Sequence, residues 1–73
     1  MDSNEDMKTL IRLLNSKTHN IHFIKGIIKT LRDNQEKEKM IQYLMENENA
    51  TMKDISFQSA VIIENRLRMN KNE

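Results

Sequence analysis

At 73 residues, with 12 Lys and Arg against 11 Asp and Glu, the chain has a net charge of +1, which argues against a dominant electrostatic drive toward nucleic acid or an anionic membrane. It has no Cys, no Pro and a single Gly, so no disulfide can staple it and no Gly-rich loop can cradle a phosphate. Read as one helical domain over 1–73 with short frayed ends, it lies near the size where a single core supplies only about 3 to 5 kcal/mol of net stability, and further burial is expected from self-association or a partner.

The opening Met1-Asp2-Ser3-Asn4-Glu5-Asp6 is acidic, the reverse of the basic start of a secretory signal, and no apolar run approaches the roughly 18 residues of a membrane span. The expectation is a soluble, cytoplasmic protein with no membrane partner. Nine Asn, nine Ile and eight Lys match the bias of AT-rich genomes, which suggests a small bacterial or phage protein.

Three stretches carry the pattern of a capping box: Ser3 to Asp6, Asp33 to Glu36 and Thr51 to Asp54. In that device a side chain ahead of the helix accepts an orphan N–H of the first turn. The acid three residues on accepts the cap's own N–H. Apolar residues at helical spacing follow each start, so the fold class is all-α, a small up-and-down bundle of about four helices.

The first predicted helix, 5–15, has Met7, Leu10, Ile11 and Leu14 at i, i+3, i+4, i+7, with Leu13 beside them. Asn15-Ser16-Lys17-Thr18 breaks the pattern. The second, 18–32, sets Ile21, Ile24, Ile28 and Leu31 on one line, with Phe23 and Ile27 alongside. At about 100° per residue His22, Lys25, Lys29 and Arg32 gather on the opposite side as a basic stripe. Gly26 falls near it, a position where Gly costs about 1 kcal/mol relative to Ala.

The third helix, 35–47, has Met40, Ile41, Leu44 and Met45 as its apolar face. Short connectors favour antiparallel neighbours. The last and longest, 51–69, places Met52, Ile55, Ala60, Ile62, Ile63 and Leu67 on one face, with Ser56 and Ser59 set into it, and leaves Phe57 and Val61 as a second strip that one core cannot also bury. Residues 70–73 are read as a frayed tail. Ile24, Ile28, Leu31, Leu44 and Ile63 are expected among the most buried residues.

Chemistry-bearing constellations are sparse. His19 and His22 stand one turn apart without a nearby carboxylate or thiolate, too little for a metal site, and no nucleophile motif adjoins a histidine. No metal, no cofactor and no enzymatic activity are expected. Lys17 to Asp33 holds four basic residues and one acid, whereas Asn34 to Ala50 holds four acids and two bases; the stripe suits an acidic protein surface.

The function expected is a protein–protein interaction module, a regulator, inhibitor or adaptor. It would dock a helix face through Phe57, Val61, Glu64 and Arg68, with His22, Lys25, Lys29 and Arg32 as a second contact, and form a homodimer. Met40 to Met69 also resembles a helix-turn-helix in fragments, with Ser56-Phe57-Gln58 as the only available turn. That resemblance implies, as an alternative, a DNA-binding regulator reading sequence with Arg66, Arg68 and Lys71.

Overall fold

Two capping devices fix helix starts as the pattern predicts. The structure, a computed structural model, describes residues 3–71, with side chains described for residues 5–68. Thr51 and Asp54 form a reciprocal box: the Asp54 N–H donates to Thr51 Oγ1 at 3.2 Å, and the Thr51 N–H donates to Asp54 Oδ2 at 3.1 Å. At Asp33 the box is skewed. Its Oδ1 accepts the Glu36 N–H at 2.9 Å, but Glu36 Oε1 reaches past the cap to the N–H of Arg32, also at 2.9 Å. The side chain of Ser3 lies outside the described residues.

The elements are α1 (Ser3–Lys17), α2 (Ile21–Thr30), α3 (Asn34–Glu46) and α4 (Met52–Lys71), with no strand among the described residues. The all-α, four-helix class predicted from the pattern is the observed one. Helix α2 is shorter at both ends than its predicted 18–32. Asn20 caps it, accepting the Phe23 N–H at 3.1 Å, while Thr18 Oγ1 accepts the Asn20 N–H at 3.1 Å. Thr18 therefore shapes the turn instead of opening the helix. Helix α4 is unbroken through Ser56-Phe57-Gln58, so the turn on which the helix-turn-helix resemblance depends is helical. The helix also includes Asn70 and Lys71, expected as tail; residues 72 and 73 lie outside the described residues.

Helix α1 packs most extensively against α3 and also against α2, while α4 packs against α3 and α2. The core is Leu10 and Leu14 of α1, Ile24 and Ile27 of α2, Leu31, Met40 and Leu44 of α3, and Ile55 and Ile62 of α4. Ile24, Leu31 and Leu44 are buried as expected; Ile28 and Ile63 are only partly buried, at the core's edge. On α2 the buried line is 24, 27, 31 in place of 21, 24, 28, 31. Ile21, in the first turn, is exposed.

On α4 the buried line is Ile55, Ser59 and Ile62. Ser59 satisfies its hydroxyl on the Ser56 carbonyl at 2.8 Å, which lets a small polar residue sit in the packing face without an orphan donor. Met52, Ala60 and Leu67, expected inside, are exposed. The observed line is centred near Ile55 and Ile62, roughly 60° around the helix from the middle of the expected face, and that rotation turns them outward.

Candidate interaction surface

The rotation of α4 widens its leftover apolar side. At about 100° per residue, Phe57, Val61, Glu64 and Arg68 fall within a narrow sector diametrically opposite Ile55, Ser59 and Ile62. Ala60 and Leu67 flank it. Phe57 is 71% exposed, Leu67 55% and Val61 40%. A lone exposed apolar residue is ordinary, whereas several aligned on one helix face mark a contact surface. Arg68 Nη2 lies 3.2 Å from Glu64 Oε2, a one-turn pair at the surface, and such pairs contribute little to stability.

Along one side of this strip runs a shallow groove between α3 and α4. Lys39, Gln42, Tyr43 and Glu46 form one wall and Gln58, Val61, Ile62 and Asn65 the other. It continues toward the start of α3, past Glu36 and Arg66. Val61 belongs to both strip and groove, so a helix docked on the strip would meet α3 side chains as well.

On α2, His22, Lys25 and Lys29 are exposed, on the side opposite Ile24 and Ile27, whereas Arg32, also exposed, lies beyond the end of the helix instead of on the predicted stripe. Among the described residues none of their side chains forms an ion pair. Lys17, at the start of this basic region, is differently employed: its Nζ donates to the Glu48 carbonyl at 2.6 Å and ties the end of α1 to the α3–α4 connector. Gly26 lies among the stripe residues, and a Cβ there would meet nothing within 4 Å.

The residues of the nucleic-acid alternative stand differently. Arg66 is drawn inward: its Nε is 3.3 Å from Glu36 Oε2, and its Nη2 donates to the Thr30 carbonyl at 3.2 Å. Beside it Lys37, buried, donates from Nζ to the carbonyls of Leu31 at 2.7 Å and Arg32 at 3.2 Å. Two cations thus satisfy the carbonyls that the end of α2 leaves without intrahelical partners, and Glu36 balances one of them. Arg68 is exposed and paired with Glu64; the Lys71 side chain lies outside the described residues.

This junction of α2, α3 and α4 escaped the sequence reading. Glu36 and Lys37 lie in the first turn of a polar helix start, and periodicity alone does not pair them with an arginine 30 residues on. The available signal was Lys37 itself, a cation placed just after the predicted end of a helix with free carbonyls.

His19 and His22 are exposed, and among the described residues no group of three His, Cys, Asp or Glu is placed to hold a metal ion. No helix among the described residues is long and apolar enough to cross a membrane. Set against known protein families, curated proteins and solved structures, the chain matches none, and the surfaces of α4 and α2 are what a functional reading must rest on.

Proposed function

We propose that the chain is a small non-enzymatic protein–protein interaction module, a regulator, inhibitor or adaptor, acting in the cytoplasm of a low-GC bacterium or its phage. The observation that carries this reading is the pair of exposed residues Phe57 and Val61 on the outer face of α4, with Leu67 at its flank, aromatic and aliphatic side chains of the kind that anchor helix-in-groove contacts. Phe57 and Val61 supply desolvation, and Glu64 and Arg68 supply the polar rim that sets orientation. The unpaired stripe His22, Lys25, Lys29 and Arg32 acts as a second contact, steering an acidic protein surface onto the molecule.

DNA binding through Arg66, Arg68 and Lys71 draws less support. The Arg66 guanidinium is committed to Glu36 and Thr30, and taking it to a phosphate or base edge would strip the α2 carbonyl end of a donor.

The test compares two variant sets, Phe57→Asp with Val61→Asp, and Lys25, Lys29 and Arg32→Gln, against purified captured protein and against duplex DNA. The expected result is loss of protein binding in the first set, weakened and less salt-sensitive protein binding in the second, and no DNA binding at about 50 mM salt, where phosphate attraction is strong. Tight, salt-dependent DNA binding that is lost on Arg66→Ala and Arg68→Ala would overturn the proposal.

A further inference from the structure

We propose that α4 is a releasable strap: it opens as a unit from a framework of α1, α2 and α3, swinging on the connector after Glu48 and uncovering the apolar edge of α2 and α3 beneath it. This motion concerns the inner face of α4 and holds whatever meets the outer one. The core is unevenly shared. All but two of the nine core residues precede residue 50, and α4 supplies only Ile55 and Ile62. Between them its packing face holds Ser59, whose hydroxyl turns back to the Ser56 carbonyl of its own helix. Helix α1, by contrast, packs most extensively on α3 and reaches α2 as well. A segment with few buried apolar contacts opens at lower free energy than the unit it rests on.

The junction at Arg66 leaves α2 and α3 with their own polar bonds when α4 departs. Lys37 Nζ donates to the carbonyls of Leu31 at 2.7 Å and Arg32 at 3.2 Å, and Glu36 Oε1 accepts the Arg32 N–H at 2.9 Å. These bonds join residues 31–37 and none involves α4. Arg66 adds an outer clasp, its Nε 3.3 Å from Glu36 Oε2 and its Nη2 3.2 Å from the Thr30 carbonyl oxygen. On release those two oxygens lose a partner, and water replaces the guanidinium at both. At the other end of α4, Thr18 Oγ1 donates to Met52 Sδ at 3.2 Å, and a thioether sulfur is a weak acceptor.

The connector localises the swivel. Lys17 Nζ, 2.6 Å from the Glu48 carbonyl oxygen, pins it to the end of α1 as far as that residue. The Thr51 and Asp54 box travels with α4, because both members belong to its start. The turn of the chain is thereby confined to the few residues from Asn49 to Thr51. Ile55 and Ile62 share one cluster with Ile24, Leu31, Met40 and Leu44, so release bares apolar side chains of both α2 and α3. Once free, a 20-residue helix is only marginally stable in water, and its amides exchange with solvent.

Hydrogen exchange followed by mass spectrometry on the full chain, at about 1 µM, reads the opening directly. Peptides within 52–68 should exchange at least about 10-fold faster than those within α1 and α3. Low urea should accelerate them less steeply, since release exposes less surface than global unfolding. Gly26→Ala keeps the fold and adds helix stability that the open state retains, so exchange in α1 and α3 should slow about 2- to 5-fold while α4 is unchanged. Arg66→Ala should speed exchange in 52–68 by about 30-fold or more. If that variant is not folded, Arg66→Lys, which keeps the charge but not the fork, should speed it by at least about 3-fold. One exchange rate and one urea slope for α1, α3 and α4, or an equal Gly26→Ala effect in all three, would overturn the strap. So would exchange graded along α4 without urea dependence, the sign of fraying instead of release as a unit. Exchange in 52–68 indifferent to the Arg66 variants would overturn the clasp.

Discussion

Replacing Arg66 with Ala is the sharpest probe of how the four helices are held in register. The substitution removes the ion pair at 3.3 Å to Glu36 and the hydrogen bond at 3.2 Å to the Thr30 carbonyl, together with the packing of the arginine stem. With side chains 25% and 7% exposed, the pair sits between surface pairs, worth about 0 to 1 kcal/mol, and fully buried ones, whose disruption costs about 3 to 5 kcal/mol. Adding a charge-assisted hydrogen bond of about 1.5 kcal/mol, the expected loss is about 2 to 3 kcal/mol. Urea titration followed by circular dichroism should then show the midpoint falling by roughly 2 to 3 M, for a slope of about 1 kcal/mol/M, the low end expected of a small domain. Arg68→Ala is the control. It breaks only the exposed pair with Glu64, and its loss should stay below about 0.5 kcal/mol. Equal effects at Arg66 and Arg68, or an Arg66 loss under about 0.5 kcal/mol, would refute the assignment of Arg66 to an internal tie.

Gly26→Ala should stabilise the fold by about 0.5 to 1 kcal/mol, since the helix backbone there is unstrained and a Cβ enters open space; a lower thermal midpoint would contradict it. Ile27→Ala should cost about 2 to 4 kcal/mol and clearly more than Ile28→Ala, because Ile27 is buried and Ile28 lies at the core's edge; the reverse order in urea unfolding would mean the face of α2 has been misplaced. Replacing Lys25, Lys29 and Arg32 together with Gln should move stability by no more than about 0.5 kcal/mol per site, all three being exposed and without ion pairs, and a cooperative loss of helicity would show that the stripe supports the fold.

How much of this was legible in the sequence depends on the range of the interaction. Helix class and the starts of α3 and α4 follow from local signals, and the Asp33 and Thr51 caps act as their spacing implies. The start of α2 is not legible in the sequence because Thr18 and Asn20 are both good caps, and the choice between them rests on which hydroxyl or amide meets which N–H. Rotation about a helix axis was harder still. Ile21, Ile28 and Ile63 have the right character for the core but lose to Ile27 and Ile62, since neighbouring helices, not periodicity, select among adjacent apolar lines. The strip of Phe57 and Val61 was visible as an excess of apolar residues on α4, and the rotation added Leu67 to its flank. The tie of Arg66 and Glu36 spans 30 positions and leaves no periodic trace.

The most direct measurement is sedimentation equilibrium of the unmodified chain beside Phe57→Asp with Val61→Asp, from about 1 to 100 µM, the range in which a small helix-pair interface should populate. A monomer–dimer equilibrium is expected for the first and a folded monomer throughout for the second. A single folded monomer for both, with the two variants also binding a purified partner equally well, would contradict the claim that the outer face of α4 is built for docking.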